Sequence, residues 1–136
     1  MLPNALPPLS TPVLIGARTL LTLPFWWSGV AKLLDFEGAI GEAAHFGLQP
    51  ATPFAIVVIL VQVVGSLVVI MGIRAWTGAL ALVLFTLAAN VVGHAFWTIE
   101  DPLARFHDMN AFLANLGLVG GLGLAVALDA ERGRRS

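Results

Sequence analysis

Cysteine is absent from this chain of 136 residues. No disulfide, thiolate metal site or thiol redox centre can form, and the composition carries no mark of a redox compartment. Charge is nearly as scarce. Asp, Glu, Lys and Arg make up 11% of the residues and the formal net charge is -1, so no basic surface for nucleic acid can be assembled. Residues 1–12 hold no Lys or Arg but four prolines (Pro3, Pro7, Pro8 and Pro12). A secretory signal wants a positive start and a small-residue cleavage site. The stretch is therefore expected to be an extended N-terminal tail, with the first apolar block retained as a membrane span.

What the chain has in abundance is apolar surface: 58% of its residues, with a mean hydropathy of +0.90. A hydrocarbon core needs ~20 mostly apolar residues per helical span. Four blocks meet that length, at 13–34, 53–73, 76–97 and 108–128, and together they form one transmembrane domain over 13–128, followed by a basic tail at 129–136. Such a chain has no room for a soluble catalytic domain. The predicted fold is all-α, an integral membrane four-helix bundle of up-and-down topology.

Between the first two spans, Phe36, Ile40, Ala43 and Ala44 share one helical face, and Glu37, Glu42 and His45 the other. This spacing predicts a short amphipathic helix lying in the membrane interface, ended by Gly47 and Pro50. Pro24 can kink the first span, and Arg18 is near enough to its start for the stem to snorkel to the interface. A tight turn is expected at Gly72-Ile73-Arg74. Four crossings collect Arg18, Arg74, Arg132, Arg134 and Arg135 on one side and Lys32 and Arg105 on the other, which predicts cytoplasmic termini. Trp76 and Trp97 bracket the third span as interfacial aromatics should, whereas Trp26 and Trp27 lie deeper.

The rise of ~1.5 Å per residue gives each polar group a depth. Lys32, His94 and Asn110 fall within a turn of the outer boundary. Ser28, Asn90 and Asn115 lie about two turns in, and Gln62 slightly deeper. The inner half is nearly all apolar. Pro24, Ser28 and Lys32 stack along one stripe, and Thr86, Asn90, Gly93, His94 and Trp97 share one face of the third span. Asn110, Ala114, Gly117 and Gly121 form a stripe suited to close helix packing. Asn115 points about 140° away from Asn110, so the two cannot both face the bundle centre.

Unpaired polar groups in lipid cost several kcal/mol, on the order of a buried amide. Ser28, Lys32, Gln62, Asn90, His94, Asn115 and Trp97 are therefore the candidate ligand-binding cluster. Each also has a plainer role. Lys32 serves as a snorkelling anchor paired with Asp35. Gln62, Asn90 and Asn115 serve as interhelical glue, and His94 bonds Asn90 or Gln62. His45 and His107 sit at the interface. Glu37, Glu42, Glu100, Asp101 and Asp108 form a solvated acidic rim. No metal site is expected, since His94 has no second ligand at the right spacing. Axial haem ligation, a Ser-His-acid set and a phosphate loop have no residues to build them, so no catalytic residue is assigned.

Several runs resemble a known family. They are Phe25-Trp26-Trp27-Ser28-Gly29-Val30-Ala31-Lys32-Leu33-Leu34-Asp35-Phe36, the step Gln62-Val63-Val64-Gly65, the ending His94-Ala95-Phe96-Trp97, and Phe112-Leu113-Ala114-Asn115-Leu116-Gly117-Leu118-Val119-Gly120-Gly121. In order and spacing over roughly 14–128, the chain resembles the DoxX family of small bacterial membrane proteins. The resemblance implies a four-helix bundle in the bacterial plasma (inner) membrane and no single activity. The family takes its name from a subunit linked to quinone-reducing sulfur oxidation, and other members associate with redox or stress complexes. Relatives often carry Glu where this chain has Gln62, Gly-Gly at Gly65-Ser66 and Lys at Ala114, which weakens any route for intramembrane proton transfer here. Thiol-using relatives are no guide, because this chain lacks cysteine.

Three functions follow as expectations. The first is an accessory or assembly subunit of a membrane oxidoreductase complex, without activity of its own and without an intrinsic cofactor. Its partners would be lipid, larger membrane or peripheral subunits, or a homo-oligomer, and not nucleic acid. The second is a binding protein or enzyme for a lipid-soluble molecule such as a quinone, held by the polar cluster. The third is a transporter or channel, which would need oligomerisation because the apolar inner half offers no path.

Overall fold

The structure, a computed structural model, describes residues 9–135 and is helical, with no strand among them. Six helices follow one another: α1 (Thr11–Leu21), α2 (Leu23–Leu34), α3 (Phe36–His45), α4 (Ala51–Met71), α5 (Ala75–Gly93) and α6 (Pro102–Arg135). A single 3-10 turn, Phe96–Thr98, follows α5. Helices α4, α5 and α6 are long and apolar enough to cross a membrane, and α1 with α2 makes a fourth crossing if the bent pair is one span. Of the expected N-terminal tail, residues 1–8 lie outside the described residues, while Thr11 and Pro12 already belong to α1.

The expected span at 13–34 is two helices, bent by 61° at Thr22. Pro24 has no N–H and its ring crowds the carbonyl one turn back, so a straight helix cannot pass through it. It sits instead in the first turn of α2, where a missing donor costs nothing. Side chains bond the carbonyls at the end of α1. Thr22 Oγ1 donates to the Arg18 carbonyl at 2.8 Å, and Trp26 Nε1 donates to the Thr19 carbonyl at 3.1 Å. Thr22 is fully buried. The deep placing of Trp26 thus has a local cause: its indole serves the break.

α3 opens on Asp35, whose carboxylate accepts the Gly38 N–H at 3.0 Å, an N-cap. Its packed stripe is Phe36, Ala39, Ile40 and Ala43, set against Ala55, Ile59 and Val63 of α4. Ala44, expected on that stripe, is exposed, and Ala39 takes the place. The helix is therefore docked on α4 as well as amphipathic.

α4 packs against α1, α2, α3 and α5, and α6 packs against α5 and α1. The turn between α4 and α5 needs left-handed backbone at Gly72 (φ 71°) and Arg74 (φ 50°). A Cβ on Gly78 would lie 2.6 Å from the Gly65 carbonyl oxygen, so α4 and α5 meet backbone to backbone across two glycines. Around that contact Phe25, Val69, Ala79, Leu82 and Leu122 form the larger core cluster, with Phe25 edge-on to Phe85 at 6.4 Å.

α6 departs most from expectation. It is one helix of 34 residues, covering residues 102–107 between the expected third and fourth spans and residues 129–135 of the expected tail. Asp101 accepts the Ala104 N–H at 2.7 Å and Pro102 takes the first position, a start signal that moves the helix forward. Its packed face is Asp108, Phe112, Asn115, Leu118, Leu122, Val126 and Asp129. The stripe of Asn110, Ala114 and Gly117 points outward instead. A Cβ on Gly117, Gly120 or Gly123 would meet nothing within 4 Å, while one on Gly121 would strike Leu21.

Arg18 forms an ion pair with Asp129, joining α1 to α6, and lies beside the Gly72 turn. The pair replaces the snorkelling role expected of Arg18. The two side chains are 13% and 21% exposed. Removing one member of a mostly buried pair strands the other charge. Arg18→Ala is expected to destabilise the fold by about 3 kcal/mol, the low end for such a pair. Exchanging the two residues should recover most of that, as read by unfolding titration in mixed micelles. An Arg18→Ala midpoint equal to wild type would show that the pair contributes nothing.

Candidate functional site

The seven candidate residues separate into two groups on different helices, with Gln62 between them. The first group is at the end of α2. Ser28 and Lys32 are one turn apart, and Lys32 Nζ donates to Ser28 Oγ at 2.9 Å. The same ammonium pairs with Glu42 Oε2 at 3.1 Å, and the two side chains are 17% and 49% exposed. Asp35, the expected partner of Lys32, is occupied instead as the cap of α3. The chain reverses after Asp35 and brings Glu42 back over α2, so a residue of the acidic rim becomes the lysine's counter-ion. These side chains line a pocket of about 270 Å³ between α2 and α3.

The second group ties α5 to α6. Asn90, fully buried, donates from Nδ2 to the Phe112 carbonyl at 3.1 Å and accepts at Oδ1 from Asn115 Nδ2 at 2.7 Å. One amide thus bonds a backbone and a side chain of the neighbouring helix. His94 follows the last turn of α5. Its Nδ1 lies 2.8 Å from Asp108 Oδ1, in place of the expected bond to Asn90 or Gln62. Asp108, read as rim, is the residue this reading missed. Its signal was present: it is one helical face with Asn115, two turns on. Trp97 is exposed and packs edge-on against Phe112 at 6.0 Å. It borders the amide pair through Phe112 and makes no polar contact among the described residues.

Gln62 is 4% exposed and faces Gly29, where a Cβ would lie 3.1 Å from its own. Its Oε1 has no donor among the described residues. Thr86 and Ser66, also buried, each donate to a carbonyl of their own helix at 2.6 Å. No hydrogen bond among the described residues joins the Lys32 group to the Asn90 group. No three His, Asp or Glu side chains among them gather as metal ligands would.

Apolar helices of this length, with buried polar side chains turned towards neighbouring helices, define a multi-pass helical membrane protein. The DoxX family model matches residues 13–95, more than half of the chain. The chain belongs to the DoxX family. It is also similar to the inner membrane protein YphA of Escherichia coli (strain K12), at 24% identity over 108 residues, covering 79% of this chain and 76% of that protein. No solved structure matches. The family match includes Ser28, Lys32, Gln62, Asn90 and His94 and stops short of α6.

The amide pair between α5 and α6 can be tested directly. Interhelical hydrogen bonds in membranes couple by about 0.6 to 1.7 kcal/mol. A double-mutant cycle with Asn90→Leu and Asn115→Leu is expected to give about 1 kcal/mol. Strict additivity would mean that the two amides do not bond.

Proposed function

We propose that this DoxX-family protein is an accessory or assembly subunit of a membrane oxidoreductase complex, with no turnover of its own. Its crossings are taken as a four-span up-and-down bundle in a bacterial inner membrane. The cytoplasmic side is taken to be the end of Arg18, Arg74 and the α6 C-terminus, by the excess of basic residues there. The observation that carries the reading is how the polar cluster is used. Asn90, Asn115, His94 and Lys32 are each bonded to a neighbouring helix or turn, as struts are, and α6 turns a face of small residues away from its own bundle. Small residues on a membrane helix let a second helix approach closely.

Purification in mild detergent tests this, with mass spectrometry of what is retained. Larger oxidoreductase subunits are expected with the wild-type chain. Gly117→Leu should release them at unchanged thermal stability, since its new side chain meets nothing in this chain. Isolation of the chain alone, with a turnover of its own, would overturn the proposal.

A second reading, binding of a quinone or other lipid-soluble ligand, is favoured by Gln62. A buried amide oxygen without a donor costs about 1–3 kcal/mol, and the hydroxyl of a quinol could supply one. Purified wild-type protein should then carry extractable quinone that Gln62→Leu loses. Equal quinone content in the two, or none in wild type, would remove this reading.

A further inference from the structure

We infer that the pocket between α2 and α3 binds the headgroup of an ethanolamine phospholipid. The argument begins with position. The pocket lies where the apolar run of α2 ends and charge begins, the depth of lipid headgroups. Leu33 and Leu34, next to Lys32 in sequence, are exposed, so apolar surface for acyl chains adjoins the polar walls. Size narrows the ligand. The space is an open cleft of about 270 Å³, too shallow to enclose a whole small molecule as pockets of roughly 300–1,000 Å³ do. A headgroup whose tails remain in the bilayer needs no more.

Charge selects among headgroups. One ammonium, Lys32, and two carboxylates, Asp35 and Glu42, face this space. Lys32 has three N–H donors, and Ser28 and Glu42 take two of them. The third is left for a phosphate oxygen. Asp35 gives Oδ1 to the Gly38 N–H, and Glu42 gives Oε2 to Lys32. Their second oxygens are left for a cationic donor. A purely anionic lipid would satisfy the lysine and be repelled by the carboxylates. A choline headgroup brings the positive charge but has no N–H to donate. Phosphoethanolamine brings a phosphate and an ammonium with three N–H groups, and matches both sets.

This inference stands whether or not the chain has a partner subunit, because its test uses the purified chain alone. The protein is incubated with equimolar phosphatidylethanolamine, phosphatidylcholine and phosphatidylglycerol, and retained lipid is counted by native mass spectrometry. Phosphatidylethanolamine is expected to be retained about tenfold over each of the others, the value of one charge-assisted hydrogen bond. Asp35→Asn keeps an N-cap acceptor, so α3 stays folded while a charge is lost. It and Glu42→Gln should each bring retention down to the phosphatidylcholine level. Equal retention of the three lipids, preference for phosphatidylglycerol, or a preference unchanged in both variants would overturn the inference.

Discussion

Hydrocarbon offers no hydrogen bonds, so each donor and acceptor that a membrane helix carries inward must find its partner in protein. That constraint explains why the few hydrophilic residues here are placed as they are. Asn90 is the clearest case, since its amide both gives and receives across the same helix boundary. Thr22 and Trp26 answer the constraint differently, by supplying donors to carbonyls where Pro24 forces the backbone to break. Ser66 and Thr86 solve it locally, by bonding back to their own helices. Gln62 Oε1 and Asp129 Oδ2 are the buried exceptions among the described residues. The second belongs to a carboxylate already paired with Arg18, whereas the first is a lone amide, and for that reason Gln62 carries the ligand reading.

The bend at Thr22 also decides which helices can meet. α1 lies against α6 and is pinned there by Arg18 and Asp129. After the bend α2 lies against α4, with Gly29 admitting Gln62 and Val63. The reversal at Asp35 then folds α3 back onto α4. Together these place Glu42 over Lys32, far apart in the expected order of polar residues but adjacent in space.

The helical, membrane-spanning character of the chain was plain from its apolar blocks, and so was the turn at Gly72. The membership of Ser28, Lys32 and Asn90 in bonded groups was also legible, because their spacing put them on common faces, whereas Asn115 was placed by its depth alone and turned away from the expected packing stripe. What the residues did not reveal was pairing. A counter-ion is chosen by tertiary geometry: nothing local distinguishes Glu42 from the other acids of the rim, and Asp108 is marked only by sharing a face with Asn115, which does not name His94 as its partner. The ends of α6 were misjudged for another reason. Charged residues were taken to end the helix, whereas charge ends only the lipid-embedded part and leaves the backbone free to continue. The small-residue stripe was legible as a pattern and not as a direction, since periodicity fixes which residues share a face but not what that face meets.

Two carboxylates on α6 are each held by a partner from elsewhere in the chain, Asp108 by the imidazole of His94 at the end of α5 and Asp129 by Arg18 of α1. They are separated by about 32 Å along the axis at 1.5 Å per residue, close to the ~30 Å hydrocarbon thickness of a bilayer. The helix is thus held at two points about a hydrocarbon core's thickness apart, like a rung bolted at either end. Sliding it lengthwise by even one turn would break both fastenings at once and draw a charge into oil. Its register against the rest of the molecule is therefore fixed from both ends, by Arg18 at one and His94 at the other.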